Sequence, residues 1–265
     1  MQEEFEKQIQ ETILKIKDKL HILHFSTGAD SVACYLRLKE WGIDPILIYD
    51  YFLPHIPMVD NYIDYFEKKF NTRIYRLPSE FCVRWMDNAL FQLPIKAREN
   101  FRNATTELEF YKINNNRNRK AVLNALNLKK EDVIFHKGIK YGDGLFRKLS
   151  LKNNGVYSEK NHSFCPIASF NLSDVVDILD KWNCKLPIEY GWLGFSFEWV
   201  QSMNINYIKE NCPVSYEYIK NYFPLIDVLA YRDKYVKVNS KTGNKGIRLA
   251  NFCKFAIEKD LYEVW

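Results

Sequence analysis

Apolar residues at 5, 9, 13, 16 and 20 (Phe5, Ile9, Ile13, Ile16, Leu20) recur at helical spacing and predict an amphipathic helix over 3–20. The short apolar run HILHF (21–25) predicts a strand, and residues 31–41 return to a helical pattern. PILIYDYF (45–52) is nearly all apolar, as expected of a strand buried on both faces. Residues 58–70 place Val59, Tyr62, Ile63, Phe66 and Phe70 on one helical face, and TRIYRL (72–77) predicts a third strand. Strand–helix–strand–helix–strand implies a parallel sheet with crossover helices. Residues 79–128 are less regular and read as helical with breaks at Pro94 and at NNNRNR (114–119). DVIFHKG (132–138) predicts a fourth strand, followed by the loop KYGDGLFRK. SFCPIASF (163–170) predicts a fifth strand or a packed connection. Residues 173–183 predict a helix with Val175, Val176, Ile178, Leu179 and Trp182 on one face, with Ser173 as its N-cap. After about residue 190 the chain becomes aromatic-rich (GWLGFSFEWV), then helical with a turn at NSKTGNKG (239–246). The expected organisation is an α/β domain over 1–190 and a C-terminal extension or subdomain over 191–265.

Composition narrows the class without naming a chemistry. Of 265 residues, 47% are hydrophobic and 27% charged, a globular balance that permits a sizeable core. No apolar run approaches the roughly 18 residues that a membrane helix needs. The polar, acidic start MQEEFEKQIQE is unlike a signal or transit peptide, so the expectation is a cytoplasmic protein without a membrane partner. A net charge of +5 is compatible with an anionic ligand but does not require nucleic acid. The six cysteines form no C-x-x-C pair, so zinc ribbons and four-cysteine iron–sulfur sites have no local signature.

The chemistry-bearing stretch is FSTGADS (25–31), set between a predicted strand and a predicted helix. A glycine lets backbone approach an anion and take a positive φ, which points to Gly28. Ser26 and Ser31 offer hydroxyls, and a helix starting near Asp30–Ser31 offers N–H groups and the positive end of its dipole. Asp30 repels phosphate unless a cation such as Mg²⁺ intervenes. The same residues also read as a plain helix N-cap, Asp30, and a turn glycine, Gly28. The G-x-x-x-x-G-K-[ST] and G-x-G-x-x-G patterns are absent.

The loop resembles the pyrophosphate loop of the PP-loop ATP pyrophosphatase superfamily, S-G-G-x-D-S. Ser26, Gly28, Asp30 and Ser31 match, and Thr27 replaces the first glycine. HKGIKYGDGLFRK resembles the G-I-R-x-x-E-S-x-R-R loop of the phosphoadenosine-phosphosulfate (PAPS) reductase family, with Gly138 and Ile139 matching, Lys140 where Arg is usual, and Arg147 at a basic position. CPIASFNLSDVVDILDKWNCKLPIEYGW resembles that family's P-I-x-x-W-x-x-x-D-V-W-x-Y stretch and the L-P and Y-x-x-G that follow, through Pro166, Ile167, Asp174, Val175, Leu186, Pro187, Tyr190 and Gly191. The three stretches occur in order over residues 20–192, and the last 70-odd residues contribute nothing to the likeness.

The resemblance implies a Rossmann-like adenine nucleotide alpha-hydrolase (HUP-type) α/β fold with a parallel sheet, and the helical C-terminal extension that follows it is expected to shape an acceptor site. It implies binding of ATP or a PAPS-like adenine nucleotide with Mg²⁺, and transfer of AMP to an acceptor with release of pyrophosphate. The nucleotide-binding residues it implies are Ser26, Thr27, Gly28, Ala29, Ser31, Asp50 and Gly138. The catalytic residues are Asp30, also the metal ligand, with Lys140 and Arg147 neutralising phosphate charge. Asp50 enters because it closes the second strand, where open α/β sheets bind ligands.

One departure bears on the branch. Sulfonucleotide reductases carry a nucleophilic cysteine in an E-C-G-x-H-like segment, whereas the last cysteine here is Cys253 in NFCKFAI. Cys165, beside Phe164, Pro166 and Ile167, reads as a packed thiol. Lacking a poised thiolate, the chain is not expected to form sulfite, and a sulfonucleotide reductase working through an unrecognised thiol stands as an alternative. A non-catalytic nucleotide or nucleic-acid module is the alternative of another class. The basic residues Lys96, Arg98, Arg102, Lys112, Arg117, Arg119 and Lys120, with Phe101, Phe110 and Tyr111 among them, could serve it, although Glu99, Glu107 and Glu109 make a solvated helical face the simpler reading. His55, after the second strand, reads equally as a pocket-lining or an ordinary loop histidine.

Overall fold

The structure, a computed structural model, describes residues 2–105 and 122–235, apart from the side chains of 103–105, 202, 203 and 232–235. It is α/β, with a mostly parallel six-stranded sheet in the order β3-β2-β1-β4-β6-β5. The strands are β1 (Leu20–His24), β2 (Ile46–Tyr51), β3 (Ile74–Pro78), β4 (Val133–His136), β5 (Tyr157–Ser158) and β6 (Ser163–Phe164). The pairs β1–β2, β1–β4 and β4–β6 are parallel, and β5–β6 is antiparallel. The described residues divide into two compact units, 2–49, 73–75 and 122–184 in the first and 50–72, 76–105 and 185–235 in the second.

In the first unit, α1 (Gln2–Ile16) buries Phe5, Ile9, Ile13 and Ile16, the stripe that the spacing predicts. Leu20, which continues that spacing, instead opens β1, because the helix ends at Ile16 in a turn. The centre of the sheet is dry. Ile22 and Leu23 of β1, Leu47 and Ile48 of β2 and Val133, Ile134 and Phe135 of β4 are all buried. Consecutive buried residues on a strand mean cover on both faces, which is why these runs do not alternate. Here α2 (Ala29–Glu40) packs against α7 (Leu172–Lys181), and α7 buries Val175, Val176, Ile178 and Leu179. The N-cap of α7 is Asn171 and not Ser173. Asn171 Oδ1 accepts from Asp174 N–H at 3.1 Å, and Asp174 Oδ2 accepts from Asn171 N–H at 2.7 Å, a reciprocal box that places Ser173 inside the first turn. The connection predicted at 163–170 is a two-residue strand followed by a tight turn.

The second unit contains α3 (Pro57–Phe70), α4 (Glu80–Asp87), α5 (Pro94–Thr105), α8 (Ser202–Asn211), α9 (Pro213–Tyr222) and α10 (Asp227–Tyr235). Pro94 starts α5 and does not interrupt a helix, as suits a residue without an N–H at the first helical position. An aromatic cluster forms the core, with Phe52 meeting Trp85 edge to face at 5.1 Å and packing on Phe223 at 5.6 Å. The turn expected at 239–246 and Cys253 lie outside the described residues. Among the described residues no helix is long and apolar enough to cross a membrane.

Candidate functional site

The loop after β1 is held by its own backbone. Phe25 N–H donates to Ile48 O at 2.8 Å, extending the β1–β2 pairing by one residue. The chain then turns through Thr27, whose φ is +59°. Gly28, expected to take the positive φ, has φ −73° and ψ 153° and is the N-cap of α2, which starts at Ala29. The left-handed position is therefore the one where the S-G-G-x-D-S pattern carries its first glycine. Thr27 sits there buried, its Oγ1 donating to Ser26 O at 2.6 Å. Asp30 is not the N-cap either, since it lies within the first turn of α2.

No side chain caps α2, because its N-cap is a glycine. The first-turn N–H groups and the positive dipole end face the loop without a competing carboxylate or hydroxyl at the cap position. Ser31 Oγ donates to Gly28 O at 2.8 Å and lies 3.3 Å from Ser26 Oγ, so the two hydroxyls close the loop as a pair. Ser26 is exposed, while Ala29 and Ser31 are buried.

The segment after β4 reaches this loop. A Cβ on Gly138 would stand 2.9 Å from the carbonyl carbon and oxygen of Asp30 and 3.2 Å from Ser31 N. Those are backbone atoms that cannot rotate aside, so only glycine fits at 138. Two residues on, buried Lys140 pairs its ammonium with Asp30 Oδ1 and places it 3.0 Å from Asp143 Oδ1. Asp143 Oδ2 also accepts from Lys140 N–H at 2.8 Å and from Arg147 Nη1 at 3.0 Å. Arg147 lies in the first turn of α6 (Leu145–Asn154) and is exposed. Asp30, Lys140, Asp143 and Arg147 thus form one alternating chain of charges. Burial raises the Asp30 carboxyl above its ordinary range, and the Lys140 ammonium opposes that rise.

The structure brings Ser26, Thr27, Gly28, Ala29, Asp30, Ser31, Gly138, Lys140 and Arg147 into one unit around one loop. Asp50 stands half-buried near the end of β2 and belongs to the second unit. His55 is exposed and pairs with Asp60 Oδ2 at 3.1 Å. Lys96, Arg98 and Arg102 are exposed on α5, while residues 106–121 lie outside the described residues. Among the described residues no group of three or more His, Cys, Asp or Glu side chains is placed to hold a metal. The carboxylates beside the loop are Asp30 and Asp143, and both are engaged by the Lys140 ammonium.

Sequence reasoning passed over three groups. Asp143 was readable, because it lies three residues after Lys140 and four before Arg147. The second is the buried pair His21 and His136, with Nδ1 of the former 2.8 Å from Nε2 of the latter. The third is Glu189, fully buried, whose Oε1 accepts from Phe197 N–H at 3.0 Å and whose Oε2 has no hydrogen-bond partner. Its only sequence signal is a lone carboxyl in the apolar run LPIEYGW. Four of the five described cysteines are buried and none is bonded to another. Burial pushes Cys82 up to about 12 and Cys165 and Cys212 up to about 11, so none of these is a ready thiolate. Compared with models of protein families and with curated proteins, the chain matches none.

Proposed function

We propose that the chain is a PP-loop enzyme of the PAPS reductase family that binds ATP or a related adenine nucleotide at Ser26–Ser31 and adenylates an acceptor. An acceptor oxygen attacks the α-phosphorus, the bond to the bridging oxygen breaks, and pyrophosphate leaves. The observation that carries this reading is the meeting of two segments more than a hundred residues apart. Gly138 lies against the Asp30–Ser31 backbone and Lys140 reaches Asp30, so the two stretches with family likeness build one site. On this reading the sheet is of HUP type, and residues from 191 onward are a helical C-terminal extension.

Each residue then has a task. The first-turn N–H groups of α2 and the hydroxyls of Ser26 and Ser31 bind phosphate oxygens. Asp30 holds Mg²⁺, which, bound with the nucleotide, neutralises phosphate charge. Lys140 and Arg147 stabilise the negative charge that gathers on the leaving pyrophosphate. Sulfonucleotide reduction is disfavoured by the buried, high-pKa thiols of the described residues.

Calorimetric titration of ATP with and without Mg²⁺, paired with a pyrophosphate-release assay over candidate acceptors, tests the reading. The expected result is Mg²⁺-dependent binding that Asp30→Ala weakens at least about tenfold, as loss of a charge-assisted contact does. Release of ADP and orthophosphate, or no binding of any adenine nucleotide, refutes it.

A further inference from the structure

Resting on the nucleotide-site reading above, we propose that Asp143 is a positioning residue that lets Lys140 and a divalent cation use Asp30 in turn. The starting point is the sharing of one ammonium between two carboxylates. Lys140 Nζ is paired with Asp30 Oδ1 and lies 3.0 Å from Asp143 Oδ1. Lys140 holds Asp30 through Oδ1, and a divalent cation on the same carboxylate would stand a few ångströms from that ammonium, so their mutual repulsion favours moving the ammonium off Asp30 when metal binds. The Lys140 side chain is only 11% exposed, and a buried cation stripped of its partner is costly. Asp143 removes that obstacle, because it is already within hydrogen-bond distance and its carboxylate side chain is itself only 12% exposed.

Asp143 is well fixed for this task. Its Oδ2 takes the Lys140 backbone N–H at 2.8 Å and the Arg147 guanidinium at 3.0 Å, leaving Oδ1 aimed at the Lys140 ammonium. Arg147 holds the Asp143 carboxylate in place while its own side chain stays exposed on the side open to phosphate. Asp143 therefore acts through Lys140 and Arg147 and touches no reacting atom. Lys140 bridges Asp30 and Asp143 here, and with metal and nucleotide bound it rests on Asp143 and the phosphates.

The experiment uses the full chain and measures ATP binding by calorimetry across a series of Mg²⁺ concentrations, with thermal melts to check folding. Asp143→Asn keeps an acceptor for the Lys140 N–H but removes the second anionic partner of the ammonium. Lys140 then stays on Asp30, and the Mg²⁺ concentration for half-maximal ATP binding is expected to rise about tenfold. Asp143→Glu restores much of the shift, which a purely structural defect does not do. Lys140→Met lowers the Mg²⁺ midpoint while weakening ATP overall, and adding Asp143→Asn to it moves the midpoint no further. An unmoved midpoint in Asp143→Asn, or a shift that persists without Lys140, overturns the inference while leaving the nucleotide reading intact. Failure of the wild type to bind ATP at every Mg²⁺ concentration overturns both.

Discussion

Glu189 makes stability of the second unit depend on pH in a direction that can be worked out. Burial raises its carboxyl from 4.5 to about 7, and the Phe197 N–H donated to Oε1 only partly offsets this. The folded state therefore keeps the proton over a range in which the unfolded chain has lost it. Its contribution to stability is fully present below pH 4.5, falls through the interval up to pH 7, and is gone above that. The distance between the two values corresponds to about 3 kcal/mol, a substantial part of a typical domain's stability. Urea unfolding followed by tryptophan fluorescence, from pH 4.5 to pH 8, should be compared between wild type and Glu189→Gln. Gln keeps a carbonyl oxygen for the Phe197 N–H and cannot ionise. Relative to wild type, the variant should gain stability steadily as pH rises, by about 3 kcal/mol across the interval. The difference between the two proteins cancels other titrating groups, including the histidines below. A difference that stays flat with pH would show that Glu189 is not carried neutral, and the argument from burial would fail.

Other consequences follow from the same kind of reasoning. Burial lowers His21 and takes His136 well below 6.5, so the unfolded chain binds the extra protons and stability of the first unit falls as pH drops below 6.5. Their NMR ring signals should stay in the neutral position as pH is lowered through 6.5, and a normal titration there rules this out. Gly138→Ala should cost about 1–3 kcal/mol and weaken nucleotide binding, because its Cβ meets Asp30 backbone at 2.9 Å; a wild-type melting temperature and affinity would contradict the close approach. Thr27→Ala loses the 2.6 Å bond to Ser26 O yet keeps a left-handed Cβ, whereas Thr27→Gly loses the bond and the strain together. The glycine variant should be the more stable of the two by about 1 kcal/mol in chemical denaturation, and the opposite order refutes a strained Thr27.

Much of the architecture is local and could be read along the chain. The α1 stripe, the long apolar runs of β1, β2 and β4, and the strand–loop–helix around FSTGADS follow from side-chain period and from small polar residues between two apolar segments. Asp30, Lys140 and Arg147 could be nominated together because the two stretches that carry them each resemble a motif of one family, and the structure places the three in one cluster. Details depending on backbone fit were not. Glycine at 28 suggested the left-handed position, but the turn from β1 into α2 needs it one residue earlier, at Thr27. Ser173 has the chemistry of a cap, yet Asn171 wins because Asp174 stands three residues beyond it to complete the reciprocal pair.

The sequence by itself determined the α/β class and the alternation of strands with crossover helices, because each of these rests on neighbours a few residues apart. Only tertiary structure decided that Gly138 must be a glycine for want of space, that Lys140 reaches Asp30, and that His21 meets His136. Those pairings join strands and loops more than a hundred residues apart, and β1 lies beside β4 only once the parallel sheet is assembled. The same holds for Glu189, whose perturbed proton affinity comes from the walls closed around it, a property no window of sequence contains.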